Sequence, residues 1–379
     1  MTASRPLEGI RVVELGSSIA APYATWVMAM MGADVIKVER PDGGDDARQW
    51  GPPSAMDGMR AFFVMLNTNK KSAAIDMTDA GQRAKLRRHL IEKTDIVVQN
   101  MRPGLVSKYG ISAEELRAEN PRLIYVNCGA FGATGPYKDR PGYDPLMQAF
   151  GGIMSVTGED GRPPVRVGTS LIDMGTGMWC AMGAITALYR RAVDGTGCTI
   201  DASLYETAVG WMSYQSASYF GTGKDPKRVG SRSPGMAPYQ AYECADGYLV
   251  IASPNNRLFA KLCEVVGHPE WVNDPRFASN PLRWENLDAL NAMLEPIVRT
   301  GTRAQWQAKL DAVGVPSGPI QSIGEMLAHP QTQALGIVEE TDDKLLQLVG
   351  LPFSLDGGRP PITTSPPPLG AHTNEILGD

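Results

Sequence analysis

One carboxylate in this chain has neighbours that would make it reactive. The run Val167-Gly-Thr-Ser-Leu-Ile-Asp173-Met-Gly-Thr-Gly-Met-Trp-Cys-Ala-Met-Gly-Ala-Ile-Thr-Ala-Leu188 sets Asp173 behind an apolar pair and ahead of a long apolar stretch rich in small residues. That pattern predicts Asp173 at a helix N-terminus in a buried place. An aspartate so placed serves as an N-cap, its carboxylate accepting a bond from the second or third helical N–H. The same position suits a nucleophile, because a carboxylate of pKa ~3.9 is ionised at neutral pH and the helix dipole helps keep it so. On these residues alone both roles stay open.

The elements that must position such a group begin with Gly9-Ile-Arg-Val-Val-Glu-Leu-Gly-Ser-Ser-Ile-Ala-Ala-Pro22 and run on to Met31-Gly-Ala-Asp-Val-Ile-Lys-Val-Glu-Arg-Pro41. An apolar run from Ile10 to Leu15, Pro22 in a first helical turn and a helix ending near Gly32 predict a βαβ opening. A dinucleotide site would need G-x-G-x-x-G at the first turn, so that the backbone can approach a pyrophosphate. The turn here is Gly16-Ser-Ser-Ile-Ala-Ala. Glu39 stands about where a ribose-binding acid belongs, but one signal of two argues against NAD.

Composition excludes several classes. With 36 basic against 41 acidic residues and a formal net charge of -5, nothing draws the whole chain to nucleic acid or to an anionic membrane. Cys128, Cys180, Cys198, Cys244 and Cys263 form no C-x-x-C pair and have no histidine at ligand spacing, which predicts reduced thiols and no metal site. The start, Met-Thr-Ala-Ser-Arg-Pro, has no apolar leader. The apolar stretches Tyr23 to Val38 and Met174 to Leu188 fall short of the roughly 20 residues of a membrane span. A cytoplasmic enzyme is expected.

At 379 residues two domains are expected. Strands at Asp95 to Gln99, Leu123 to Val126 and Thr199 to Ala202 alternate with helical stretches such as Gln82 to Glu92, the α/β pattern. Ser112-Ala-Glu-Glu115 is a capping box. After a helix from Leu204 to Tyr219, residues 221–238 are rich in glycine, proline and base, as a linker or loop would be. A hairpin of Gln240 to Cys244 and Tyr248 to Ala252 follows, then helices at Arg257 to Val266, Leu287 to Val298 and Arg303 to Ala312, the last opened by the box Thr302 to Gln305. From about Gly324 the chain reads as irregular, yet Ile362, Leu369 and Ile376 suggest a tail that packs back. The expected division is residues 1–215, a smaller α+β domain at 216–325, and a C-terminal segment at 326–379.

The opening Pro6-Leu-Glu-Gly-Ile-Arg-Val-Val-Glu-Leu, then Gly32-Ala-Asp-Val-Ile-Lys-Val-Glu-Arg-Pro41, Leu66-Asn-Thr-Asn-Lys-Lys-Ser72 and Gln99-Asn-Met-Arg-Pro-Gly104 together resemble the class III (CaiB/BaiF-type) coenzyme A transferases. So do Asn120 to Tyr125, Gly142-Tyr-Asp-Pro145, the Asp173 run, Asp274 to Phe277 and Leu369-Gly-Ala-His-Thr373. That family includes formyl-CoA:oxalate and carnitine CoA-transferases and the α-methylacyl-CoA racemases. The resemblance implies a doubly wound, Rossmann-like α/β large domain completed by the C-terminal segment, a smaller α+β domain, and an interlocked homodimer. It implies coenzyme A, carried as an acyl-CoA substrate, and a small carboxylic acid as partners.

Asp173 falls on the family's catalytic aspartate. Arg40 matches an arginine that meets the coenzyme's phosphates or adenosine end. Asn100 and Met101 match residues of the nucleotide pocket, Ile75 and Lys108 positions near it, and Ser18 and Ala20 lie on the turn lining the pantetheine path. Without the resemblance, Arg40, Lys70, Lys71 and Arg102 read as solvated charges at strand ends, and Asn100 as a residue satisfying a turn backbone. Their gathering at strand C-termini, where open α/β sheets bind ligands, favours a site.

The implied reaction is transfer of CoA from an acyl-CoA to a carboxylic acid through an aspartyl anhydride and an aspartyl-CoA thioester. The oxalate-using members carry a longer glycine run near residues 221–235, and its lack here speaks against oxalate as acceptor. Racemases of the family have a histidine where this chain has Tyr143-Asp144, and none of His89, His268, His329 and His372 lies near that motif, which disfavours racemisation. A non-catalytic acyl-CoA-binding protein is the third reading.

Overall fold

The structure, a computed structural model, describes residues 5–54, 56 and 58–378. Short uncharged β-branched runs such as Val12-Val13 and Ile96-Val97-Val98 have no polar face to offer water, so they fold as strands of a parallel sheet covered on both sides. In chain order the elements are β1 (Arg11–Leu15), α1 (Ala20–Met30), β2 (Asp34–Glu39), α2 (Ala61–Asn67), β3 (Lys70–Ala74), α3 (Ala80–Glu92) and β4 (Ile96–Gln99). Next come α4 (Leu105–Lys108), α5 (Ala113–Glu119), β5 (Ile124–Gly129), α6 (Asp144–Phe150), α7 (Ile153–Val156), α8 (Leu171–Asp194) and β6 (Thr199–Ser203). Then follow α9 (Leu204–Trp211), α10 (Ser213–Thr222), β7 (Tyr239–Cys244), β8 (Gly247–Ala252), α11 (Asn256–Val265), α12 (Asn280–Glu285), α13 (Leu287–Val298) and α14 (Arg303–Val313). The chain closes with β9 (Ser317–Pro319), α15 (Ile323–Ala328), α16 (Pro330–Leu335), β10 (Val338–Glu340), β11 (Gln347–Val349) and α17 (Asn374–Leu377).

Six parallel strands in the order β3-β2-β1-β4-β5-β6 form the main sheet, a doubly wound arrangement whose direction of winding reverses between β1 and β4. Successive side chains enter opposite layers. Val12, Val35, Ile96, Val98, Ile124 and Val126 pack with α1 and α8, whereas Val13, Ile36, Val97 and Tyr125 pack with Leu86 of α3, Leu116 of α5 and Ile376 of α17. The C-terminal segment is part of this unit. Asn69 grips it, donating to the Pro361 carbonyl at 2.9 Å and accepting from the Thr363 and Thr364 N–H groups at 2.7 and 2.9 Å.

A second compact unit comprises residues 154–165 and 225–329; the first holds 1–153, 166–224 and 330–379. In the second, the antiparallel sheet β7-β8-β9 packs Tyr242, Leu249 and Ile251 against Phe259, Leu262, Trp306 and Leu310. A division at 216 and 326 misses residues 154–165, tied to this unit by the bond from the Gly230 N–H to the Gly158 carbonyl at 2.9 Å.

Three further expectations are corrected. The helix expected from Leu204 to Tyr219 is two, α9 and α10, with the break at Met212 beside Gly210, a poor helix former. The stretch after Gly324 is irregular only from residue 350 to 373; before it come α15, which Ser322 and Glu325 open with a capping box, then α16 and the β10-β11 pair. Finally, α8 runs for 24 residues, long and apolar enough by length and composition to cross a bilayer. Its Ile172, Thr176, Cys180, Ala184 and Ala187 instead recur at helical spacing in the core face.

Candidate active site

The turn between β1 and α1 stands at the switch point of the sheet and is held from three sides. Lys37 donates from Nζ to the Gly16 carbonyl at 2.9 Å. Asn100, just past β4, accepts from the Ser17 N–H at 2.9 Å and donates to the Ser17 carbonyl at 2.8 Å. Asp45 accepts from the Ser18 N–H at 3.0 Å. Ser18 has φ +69°, a left-handed conformation a serine adopts only under such restraint. Gly16 is required by crowding, because a Cβ there would fall 2.7 Å from that of Ala21.

Beneath this turn lies a buried set of charges. Glu14 pairs with Lys37 at 2.6 Å and with Lys70 at 2.9 Å, Lys37 also with Asp45 at 2.7 Å, and the side chains of both lysines are wholly buried. Burial would raise the Glu14 carboxyl, but the two ammonium groups hold it near 2. Lys70 and Lys71 are therefore not site cations at a strand C-terminus. They begin β3, one buried against Glu14, the other bridging Asp34 and Glu375.

The structure brings Ser18, Ala20, Arg40, Asn100 and Met101 to the C-terminal edge of β1, β2 and β4. Arg40 is exposed, donates to the Gly44 carbonyl at 3.1 Å and pairs with Asp46 at 2.6 Å. Both ends of the Asn100 amide bond the Ser17 backbone, in keeping with its reading as a turn-satisfying residue. Met101 is half-buried, with its N–H on Gln99. Two residues are different. The Ile75 side chain is buried in the core, and Lys108 ends the short helix α4 with its amine 5.9 Å from the centre of the Tyr109 ring.

Asp173 is the third residue of α8, in its first turn. One turn on, Gly177 faces α1 so closely that a Cβ would lie 2.6 Å from the Ala20 carbonyl oxygen. Along α8 the Asp173 backbone thus lies one helical turn, roughly 6 Å of rise, before the contact with the start of α1. It is not the N-cap expected of it. That position is Ser170, which makes no side-chain capping bond, and the N–H groups of Ile172 and Asp173 are met instead by Asp144 at 2.7 and 3.2 Å.

Nor is Asp173 kept at an ordinary pKa by the helix dipole. Burial first, and the charge of Asp144 second, push it up to about 7. A carboxyl whose pKa is raised by burial and a neighbouring like charge is characteristic of functional sites. Among the described residues no group of three or more His, Cys, Asp or Glu is placed to hold a metal ion. His89 lies on α3 and His372 against Ser72 at β3, so neither is on α6 or α8, which carry Asp144 and Asp173.

The family model for CoA-transferase family III matches residues 7–373. The acetyl-CoA:oxalate CoA-transferase of Acetobacter aceti is 36% identical over 93% of this chain and 90% of its own. The succinate–glutarate CoA-transferase of Agrobacterium fabrum is 35% identical over 99% of this chain and 95% of its own. A crystal structure of a CaiB/BaiF family protein from Brucella suis superposes with a TM-score of 0.89 at 37% identity, covering 99% of both chains. With a doubly wound sheet, a perturbed aspartate beside its switch point and these likenesses along nearly its whole length, the chain belongs to CoA-transferase family III.

Proposed function

We propose that this protein transfers coenzyme A from an acyl-CoA thioester to a carboxylic acid, with Asp173 as the covalent relay. The observation that carries the reading is Asp173 itself, a carboxyl of raised basicity on the first turn of α8 beside the β1–α1 turn. Its carboxylate attacks the thioester carbonyl, giving an aspartyl acyl anhydride and CoA thiolate. The thiolate attacks the aspartyl carbonyl, the donor acid leaves, and an aspartyl-CoA thioester remains. The acceptor carboxylate then attacks that thioester, and the released thiolate takes the new acyl group from the second anhydride, restoring Asp173. Both intermediates are prone to hydrolysis, so a site that excludes water is needed. Relatives named for oxalate, succinate and glutarate point to small dicarboxylic acids or their thioesters as substrates.

Trapping tests this directly. Incubation with a panel of acyl-CoAs followed by hydroxylamine should leave a hydroxamate on the peptide holding Asp173 and none on an Asp173→Ala variant. Exchange of the α-proton into deuterated water without an adduct would point to racemisation instead.

The titration of Asp173 sets a pH dependence. Only the carboxylate attacks, so kcat/KM for the donor should rise with unit slope up to about pH 7 and level off above it. A profile flat from pH 5 to 9 would show that Asp173 does not titrate in this range.

An interlocked homodimer is part of the same proposal. On α8 Met178, Met182, Tyr189 and Val193 are exposed, and on α9 and α10 Trp211, Tyr214 and Phe220, the last at 84%. An apolar surface of this extent on one chain marks an interface, and a second copy of the chain is the occupant proposed. Tyr189→Glu with Phe220→Glu is expected to shift sedimentation from dimer toward monomer and to lower activity at least about tenfold. Unchanged sedimentation would place the interface elsewhere.

A further inference from the structure

We infer that Asp144 is a positioning residue for the nucleophile, its buried carboxylate standing in for the missing N-cap of α8 and fixing a negative charge beside Asp173. The inference rests on Asp173 being the attacking group, and its geometry is independent of that. Asp144 is the first residue of α6 and only 3% exposed. One carboxylate oxygen accepts from the Ile172 N–H at 2.7 Å and the Asp173 N–H at 3.2 Å, and the other from Gln148 Nε2 at 2.6 Å. Gln148, wholly buried on the next turn of α6, also accepts from the Val167 N–H at 2.8 Å. Residues 167–173 are thus laced to α6 at both ends, and the backbone that carries Asp173 cannot shift without breaking buried bonds.

A neutral cap would satisfy the same N–H groups. Ser170 occupies the capping position without doing so, and the group used instead brings a charge to the one place where a second carboxylate raises the proton affinity of the first. A more basic carboxylate is a stronger nucleophile toward a thioester, and protein that encloses it shields the anhydride formed on it.

The other titratable groups on elements packed here leave Asp144 as the charged neighbour. From β5 comes the thiol of Cys128, itself raised and in contact with Cys180 of α8; from α1 comes Tyr23, raised by burial. Glu206 of α9 accepts from the Ser203 hydroxyl at 2.6 Å.

Asp144→Asn keeps an acceptor for the two N–H groups and removes the charge; Asp144→Ser does so with a shorter group and serves if the asparagine variant folds poorly. The acid limb of kcat/KM should move down by about one pH unit, so that the variant-to-wild-type ratio is higher at pH 6 than at pH 8. Melting supplies a readout without turnover. Asp173→Asn should raise Tm at pH 8 in the wild-type background, and by a smaller amount when Asp144 is already neutral, more than half of the gain remaining because burial is the larger cause of the raised pKa. A cap with a purely structural role would lower Tm and leave this coupling absent. If the limb and the coupling are both unchanged, the inference is overturned. If no acyl-CoA is turned over, the proposed transfer fails, and the melting cycle still decides the pairing of Asp144 with Asp173.

Discussion

Asp173→Ala is expected to lower CoA transfer by roughly 10³-fold or more, with acyl-CoA binding kept within a few-fold of wild type. The relay passes through covalent species on this one carboxyl, and Asp144, the other acid at the site, is turned into the N–H groups of α8 and cannot replace it. Asp173→Asn should be as inactive, which separates loss of the nucleophile from loss of volume. The same substitution should make the protein more stable. A carboxyl whose folded pKa is about 7 against an ordinary 3.8 carries no penalty below pH 4, where it is protonated folded or unfolded. Between pH 4 and 7 the unfolded chain loses the proton first, so the fold is progressively disfavoured, and the full penalty stands above 7. Removing it should therefore stabilise by on the order of 1–3 kcal/mol at pH 8 and by nothing near pH 4, after allowance for its partial exposure. A variant that is inactive and also destabilised at pH 8 would mean that Asp173 acts as a structural acid.

The placement of this aspartate could be read from the sequence because an apolar pair followed by a small-residue helix is a local pattern. Its environment could not. The cap comes from Asp144, 29 positions away, and nothing in either segment signals that two acids share one helix N-terminus. The sheet was legible for the reason that the helix was. Uncharged β-branched runs at βα spacing have only one stable use, and β4 and β5 lie where those runs are. Signals of the second kind were also available past residue 320, where Ser322 and Glu325 repeat the box that predicted the helices after Ser112 and Thr302. Lysines 70 and 71 are adjacent and chemically the same, yet one is buried and one half-exposed. Alternation along a strand whose partners lie far off in sequence decides which.

That buried lysine belongs to the set of charges whose disruption should affect stability most. Glu14→Gln would leave Lys37 and Lys70 without the carboxylate they share, at distances of 2.6 and 2.9 Å, in a place without water. Breaking a buried ionic pair by removing one partner is expected to destabilise by about 3–5 kcal/mol. The loss should depend on pH in a direction fixed by Lys70, which burial, aided by the charge of Lys37, pulls down to about 8 against the attraction of Glu14. Without Glu14 it releases its proton more readily. The penalty for holding it charged is full below the folded pKa and relieved above it, so the deficit should be larger at pH 6 than at pH 9. Adding Lys70→Met to Glu14→Gln should recover part of the loss, because it removes the stranded charge rather than a second favourable contact. Denaturant unfolding of the two single variants and the double at both pH values measures all three terms. A Glu14→Gln protein within about 1 kcal/mol of wild type at pH 6 would show that the cluster is not ionised as its geometry implies. The effect on activity would follow from the same bonds, since Lys37 holds the Gly16 carbonyl and pairs with Asp45, the residue that fixes Ser18. The chain that keeps the β1–α1 turn in its strained shape begins at Glu14, so loosening it should raise KM for the acyl-CoA before it alters the chemical step at Asp173.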